Sequence, residues 1–334
     1  MTILILGANG FIGNSLVEKL CKESKYDLYA MDLSSNNIEE YKDHSNFTFV
    51  EGDININSEW IEYHIKKCDI IIPLVAIATP NIYVKDPLRV FNLDFESNLK
   101  IVKWVAKYNK RIIFPSTSEV YGMCSDENFN EYSSNLVLGP VHKSRWIYSA
   151  SKQLLDRVII AYGERGDLSY NLFRPFNWIG PRLDTLEQAQ LGNGRVMTIF
   201  IYNLLNQKDI ILVDGGKQSR SFTDIDDGIN ALVGIIDKND INGKIFNIGN
   251  PKNSISIKKL ATILIERYNI LSQNRYSGKI KIKTQNEFYG NGYEDISVRV
   301  PDINEAKKHL DWEPKVKLSD SIDKTIEYYL KQRF

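Results

Sequence analysis

The sequence is poor in cysteine and histidine, carries no net charge and has no long apolar run. Its three cysteines, Cys21, Cys68 and Cys124, are isolated and odd in number, which argues against a disulfide framework and fits a reducing compartment. The four histidines, His44, His64, His142 and His309, neither pair with the cysteines nor show ligand spacing, so no metal site is expected. Lys plus Arg and Asp plus Glu each number 42, and a chain so balanced has no global field drawing it to nucleic acid or acidic membranes. The longest apolar run, Ile70 to Ala78, is interrupted by Pro73 and falls far short of the roughly 20 residues that a membrane helix needs. The amino terminus lacks a basic region leading into an apolar core, so no signal peptide is expected. A cytoplasmic protein without nucleic-acid or membrane partners is the expectation.

What the chain does have is an ordinary globular composition, 43% apolar and 25% charged over 334 residues, enough for two domains or one α/β domain with an added lobe. Ile3-Leu-Ile-Leu6 reads as a wholly apolar strand of the kind buried at the centre of a parallel sheet. It runs into Gly7-Ala-Asn9-Gly10-Phe11-Ile12-Gly13, with helical periodicity from Asn14 to Cys21. Glycines between a strand and a helix allow a tight turn, let backbone N–H groups approach a pyrophosphate and let the helix pack close to the strand. Gly7, Asn9, Gly10, Phe11, Ile12 and Gly13 are therefore candidate dinucleotide contacts. Asp27 to Asp32 is a second strand, and the Asp32 carboxylate at its end suits adenosine ribose hydroxyls. The following Leu33-Ser-Ser-Asn-Asn offers no arginine for a ribose phosphate, so NAD is favoured over NADP.

Further strands are expected at Phe47 to Glu51, Asp69 to Pro73, Arg111 to Pro115 and Tyr170 to Pro175. Leu74 to Ala78 extends the fourth as small apolar backbone able to pass close to the cofactor, with Leu74 and Ala76 as candidates. Pro80 to Pro87 reads as a loop, in which Tyr83 either faces a sugar or simply packs, and Asn92 to Tyr108 reads as an amphipathic helix. The fifth strand delivers Ser116-Thr117-Ser118-Glu119 at its carboxyl end, where hydroxyls can hydrogen-bond an oxygen that gains or loses a proton. Tyr148 and Lys152 open the next helix. Four residues apart, they share a face, so the ammonium can lower the phenol's pKa and make a base. The spacing alone is weak, since Tyr63 and Lys67 repeat it, but only Tyr148 and Lys152 follow a strand-end Ser/Thr cluster.

Beyond Pro175 the sheet pattern loosens. Gly192 to Arg195 reads as a loop, Thr223 to Val233 as the start of a helix, and Lys244 to Ile248 as a strand returning to the first sheet. The whole reads as α/β, a doubly wound parallel sheet with a smaller α/β substrate-binding lobe. The expected domains are 1–176 with 225–250 for the cofactor, and 177–224 with 251–334 for the substrate.

The G-x-x-G-x-x-G spacing and the Ser/Thr, Tyr and Lys arrangement resemble the extended short-chain dehydrogenase/reductase family, which implies a Rossmann-like fold. Within it the chain resembles the UDP-glucuronic acid decarboxylases, above all the decarboxylase domain of bifunctional polymyxin-resistance proteins. The runs that carry this are GANGFIGN at 7–14, NSEWIEYHIKKCD at 57–69, PLVAIATP at 73–80, RIIFPSTSEVYGMCSD at 111–126, RWIYSASKQLLDR at 145–157, LFRPFNWIGPRLD at 172–184, DGGKQSRSFTDI at 214–225 and LDWEPK at 310–315. The formyltransferase domain of the bifunctional proteins is not among these residues, so a free-standing decarboxylase is expected.

The resemblance implies that Asp53 and Ile54 contact adenine, that Thr117 and Ser118 orient the sugar, and that Glu119 and Arg299 serve decarboxylation and proton return. It implies that Tyr83, Arg145, Asn177, Arg195, Gln218, Arg220 and Tyr293 hold a UDP-sugar, UDP-glucuronic acid by preference. Ile211 stands where the similar proteins are expected to carry lysine. The implied product is UDP-4-keto-pentose with CO2 and NADH. UDP-xylose synthesis by re-reduction, a 4-epimerase or dehydratase activity, and a non-enzymatic NAD-binding scaffold are the alternatives. A homodimer through helices 92–108 and 148–162 is the implied assembly.

Overall fold

The structure is a computed structural model describing residues 1–332, so the last two residues of the range 251–334 lie outside it. Seven parallel strands form the central sheet: β1 (Thr2–Leu6), β2 (Asp27–Asp32), β3 (Phe47–Glu51), β4 (Ile70–Pro73), β5 (Arg111–Pro115), β6 (Ser169–Pro175) and the strand Lys244–Ile248. From one edge the order is Lys244–Ile248, β6, β5, β4, β1, β2, β3. Ile3 pairs with both Leu28 of β2 and Ile70 of β4, so the strand order reverses at β1. Connections leave in opposite directions there, which opens a crevice at the strands' carboxyl ends.

The strands are apolar throughout because both faces are covered. Ile3 and Ile5 belong to one core with Ile72, Ile113 and Phe173, whereas Leu4 and Leu6 belong to the other with Ile71, Ile112 and Phe114. Side chains alternate across a strand, so a shift of one residue would exchange the two cores. Helix α1 (Phe11–Cys21) and helix Ile225–Asp237 supply the first core, and helices α2 (Ser58–Lys67), Asn98–Lys107 and Trp146–Glu164 the second.

Three readings are corrected. Pro80 to Pro87 is not a loop: Pro80–Lys85 is a short helix with proline at its start, where the missing N–H costs nothing, and Pro87–Phe91 is another. The helix expected from Asn92 begins instead as a π-helical stretch, Asn92–Ser97, and becomes α-helical only over Asn98–Lys107. Thr223 starts no helix. Thr223–Asp224 pairs with Trp178–Ile179, and the Asp224 carboxylate then caps helix Ile225–Asp237 by accepting from Asp226 N–H at 2.8 Å.

The remaining segments carry three small two-stranded sheets and helices Val196–Leu205, Ile257–Ser272 and Leu318–Lys331 beside the crevice. Among the described residues no helix is long and apolar enough to cross a membrane.

Candidate functional site

The crevice is bounded on one side by the glycine turn. Gly7 has φ +89°, and a Cβ there would come within 3.0 Å of the Leu74 backbone. A Cβ on Gly13 would meet the Gly7 carbonyl at 2.1 Å, so α1 packs against the turn at a distance only glycine permits. Helix α1 starts without any side-chain cap, leaving first-turn N–H groups for an anion. Asp32 ends β2 with one carboxylate oxygen accepting from Asn9 N–H at 2.8 Å and the other from Leu33 N–H at 2.7 Å. Burial raises its pKa against those hydrogen bonds.

The Asn9 side chain is clasped by Asn37 N–H at 2.7 Å and donates to Ser34 at 2.8 Å. Phe11 is buried and Ile12 half-buried. Asp53 is half-buried, accepting from Asn55 N–H at 2.8 Å, beside buried Ile54. Leu74 N–H donates to Leu6 at 2.7 Å, carrying half-buried Ala76 along the same edge. An uncapped helix start, a turn only glycine fills and a carboxylate one strand away fit NAD.

On the other side, β5 ends in Ser116, Thr117, Ser118 and Glu119, all buried. Ser116 donates to Asp156 at 2.7 Å, and Asp156 also pairs with Arg174 at 3.3 Å. The first hydroxyl of the cluster is thus spent on structure, whereas the Thr117 hydroxyl accepts from Glu119 N–H at 3.2 Å and lowers the Tyr148 pKa. Tyr148 and Lys152 lie on one face of helix Trp146–Glu164 and are 5% and 1% exposed. Tyr83 stacks flat on the Tyr148 ring, with centroids 4.7 Å apart and planes 9° from parallel. Of the two expected postures for Tyr83, packing is the one seen. Tyr63 is 62% exposed, so its pair with Lys67 is a surface feature.

The Tyr148 pKa is raised on balance, and Lys152 is not among the main influences on it. Burial first, then the charges of Asp94 and Glu119, push the phenol well above its ordinary value, against Thr117 and Arg195. The Lys152 ammonium is directed elsewhere: it donates to the Pro115 carbonyl at 3.0 Å and stands 4.0 Å from Asp94 Oδ1.

Glu119 lies between two guanidinium groups, Arg145 at 3.2 Å and Arg299 at 3.4 Å. Arg145 is fully buried, lies 4.4 Å from the Trp146 ring and 5.4 Å from the Tyr293 ring, and has Nε and Nη1 without partners. Burial and neighbouring Arg220 lower the Arg299 pKa while Glu119 raises it. Tyr293 stacks on Tyr289 at 4.0 Å. Arg220 pairs with Asp295 at 2.6 Å and donates to the Ile296 carbonyl at 2.8 Å. Although burial raises Asp295, Arg220 and Arg299 outweigh it and hold the carboxyl below its usual range.

Arg195 is taken up by Asp184 at 2.8 Å, with its guanidinium 5.2 Å from the Phe11 ring. Asn177 has φ +40° and its carbonyl accepts from Thr223 N–H at 3.2 Å. The half-buried Gln218 accepts through its carbonyl from Ile257 N–H at 3.0 Å. The structure therefore gathers Thr117, Glu119, Arg145, Tyr148, Arg299, Arg220, Tyr83 and Tyr293. Asn177 and Gln218 sit on strand ends beside the cluster.

Sequence reasoning missed Asp94 and Asp295. A signal existed for Asp94: with Asn98, Ile101 and Val105 it occupies the buried stripe of its helix, where an acid is out of place. Asp295 had none beyond lying four residues before Arg299.

Comparison with known proteins agrees with this arrangement. The model of the NAD dependent epimerase/dehydratase family matches residues 3–249. The chain is 45% identical to the PbgP3 protein from Burkholderia pseudomallei, with 98% of this chain and 96% of that one covered and a TM-score of 0.87. UDP-glucose 4-epimerase from Thermotoga maritima is 24% identical over 100% of both chains, TM-score 0.83. UDP-glucuronic acid 4-epimerase from Bacillus cereus is also 24% identical over 100% of both, TM-score 0.82. Those two likenesses are of fold.

Proposed function

The chain belongs to the NAD dependent epimerase/dehydratase family, and from that membership and the geometry of its crevice we propose that it oxidises and decarboxylates UDP-glucuronic acid. The observation that carries the reading is the buried Glu119 between Arg145 and Arg299, beside Thr117 and Tyr148. A buried carboxylate flanked by two buried guanidinium groups suits a substrate that brings a carboxylate and loses it.

Bound NAD supplies the acceptor for the hydride from sugar carbon 4. Tyr148 takes the proton of the 4-hydroxyl, while Thr117 and Ser118 orient that oxygen. The phenol must first come down from its raised pKa, each unit costing about 1.4 kcal/mol. Lys152 and the positive charge brought into the crevice favour the phenolate. The oxidised sugar is a β-keto acid, whose carboxylate leaves as CO2 with its bonding electrons delocalised into the ketone as an enolate. Arg145 and Arg299 hold the departing carboxylate, and Glu119 with Arg299 directs a proton to carbon 5. Arg220, Arg195, Tyr293, Asn177 and Gln218 form the UDP-sugar side, with Arg220 exchanging Asp295 for phosphate oxygens that its planar fork binds in pairs.

Residues 1–176 with 225–250 are assigned to cofactor binding and the rest to the nucleotide sugar. A homodimer through the helices at 92–108 and 146–164 belongs to the same proposal, supported by exposed Leu88 and Leu154 on or beside them.

Purified protein incubated with UDP-glucuronate and NAD tests the reading. CO2 with stoichiometric NADH and a keto sugar is expected. CO2 with UDP-xylose and no net NADH would assign re-reduction instead, and the absence of CO2 would overturn decarboxylation in favour of epimerisation or dehydration.

A further inference from the structure

Asp94 is fully buried, yet no strand-end motif or glycine turn accounts for it. It is carried by the π-helical stretch Asn92–Ser97, inserted between α-helical Pro87–Phe91 and Asn98–Lys107. A π turn interrupts the regular ladder and is frequent at functional sites. Here its buried side chain is Asp94. Its Oδ2 accepts from Ile77 N–H at 3.0 Å, and its Oδ1 has no hydrogen-bond partner but lies 4.0 Å from Lys152 Nζ.

Asn98, one turn on, fastens the same stretch by donating to the Val75 carbonyl at 3.2 Å and the Leu93 carbonyl at 3.0 Å. The Lys152 ammonium, 1% exposed, otherwise meets the Pro115 carbonyl at 3.0 Å and the Phe114 ring at 4.8 Å. An ammonium buried that completely keeps its proton only with a counter-charge nearby.

We propose that Asp94 is a positioning residue for the Tyr148 and Lys152 pair, holding the Lys152 ammonium charged and aimed, and that the π turn exists to place it there. The inference rests on Tyr148 acting as the base of the proposed reaction. The charged and titratable groups facing the pair are Asp94 from the π turn, Tyr83 from helix Pro80–Lys85, Glu119 from the turn after β5, Asp156 one turn beyond Lys152, and Arg195. Asp94 acts on both members in one direction. Its charge raises the Tyr148 pKa and supports that of Lys152, which burial lowers. Removing that charge should let both groups lose their protons at lower pH. The Asp94 carboxyl is itself raised to about 6 by burial, against Lys152 and the Ile77 N–H, so the support weakens below that pH.

The test is Asp94→Asn, which keeps the shape and the acceptor for Ile77. Rates of NADH formation from the UDP-sugar and NAD are followed against pH, beside a spectroscopic titration of the Tyr148 phenol taken as the difference from Tyr148→Phe. Both limbs of the rate profile and the phenol titration should move about one pH unit or more toward acid. The maximal rate should fall about tenfold or more with KM changed less than threefold. Asp94→Glu, which keeps the charge, should retain the parent pH limbs at reduced rate, and in a Lys152→Met background Asp94→Asn should add no further loss. Unmoved limbs and an unmoved phenol titration in Asp94→Asn would overturn the proposal. If that variant does not fold, Asp94→Glu decides: limbs shifted from the parent's, or a rate loss that adds in full to that of Lys152→Met, would overturn the proposal. The phenol titration needs no turnover, and NADH formation precedes any loss of CO2, so a failed decarboxylation reading leaves these outcomes intact.

Discussion

The two sides of the crevice are built by different means. The glycine side is made of backbone: Gly7, Gly10 and Gly13 lie within seven residues, and Asp32 reaches them through the Asn9 N–H. The opposite side is made of side chains from distant segments. Glu119 follows β5, Arg145 precedes a helix, Arg299 lies near the end of the chain, and they meet within 3.4 Å. Backbone geometry is cheap to hold and tolerates little change of residue. A buried cluster of charges depends on every member, because each left alone keeps its full desolvation cost.

The largest break in this comparison should come from the side-chain half. Tyr148→Phe removes the phenolic oxygen from a site where no neighbour can replace it. Turnover should fall about 10²- to 10⁴-fold, while NAD affinity measured by titration stays near that of the parent. Unchanged turnover would take Tyr148 out of the chemistry.

Glu119→Gln comes next. It leaves Arg145 and Arg299 buried without their counter-charge, which costs roughly 3–5 kcal/mol when a buried pair is broken. Denaturant unfolding should show that loss, and UDP-glucuronate should restore more of it than UDP-glucose, because only the former brings a carboxylate. Equal restoration by the two would mean that the arginines do not receive the sugar acid.

A smaller effect tests whether the long-range half also carries the pH dependence of stability. Glu131 is buried, its Oε1 accepting from Asn247 N–H at 2.6 Å and its Oε2 without a partner. Burial raises its pKa from 4.5 to about 7. The folded chain therefore keeps this proton where the unfolded chain has released it. The resulting stability is complete below about pH 4.5, declines as pH rises toward 7 and is gone above it. Glu131→Gln removes the titration and should gain on the order of 2 kcal/mol over the parent at pH 8. At pH 4 the gain should vanish, as thermal unfolding at the two values would show.

The same contrast explains what was legible in the sequence. The seven strands are local runs of apolar residues, and all seven keep their expected bounds to within one residue at either end. The glycine turn could be read because its chemistry lies in one stretch. Tyr148 and Lys152 were readable as a spacing, but their electrostatics were not. The phenol's pKa is set by its burial and by Asp94 and Glu119, contributed by two other segments, and no spacing reports those charges. Arg220 was legible as an arginine among polar residues. Its partner Asp295, 75 residues away, was not. The π turn was invisible because its residues are helical in periodicity, and only the insertion beneath Lys152 sets it apart.

The glycine side offers the subtlest test, because it can separate the fold from the binding it serves. A Cβ at Gly13 would lie 2.1 Å from the Gly7 carbonyl and 2.8 Å from Ala8 Cα, both backbone atoms. Gly13→Ala must move helix or turn, and should lower thermal stability and NAD affinity together. A Cβ at Gly10 meets only the Gly7 carbonyl, at 3.4 Å, and Gly10 has φ −69°, which any residue adopts. Gly10→Ala should therefore leave the melting temperature nearly unchanged. If Gly10 is small so that a pyrophosphate can approach the start of α1, the same variant should weaken NAD binding about tenfold, or about 1.4 kcal/mol. Calorimetric titration with NAD and a melting curve on both variants decide between these roles. Parallel losses in both would make the turn a packing device, whereas a loss of affinity alone at Gly10 would make it a binding surface made of backbone.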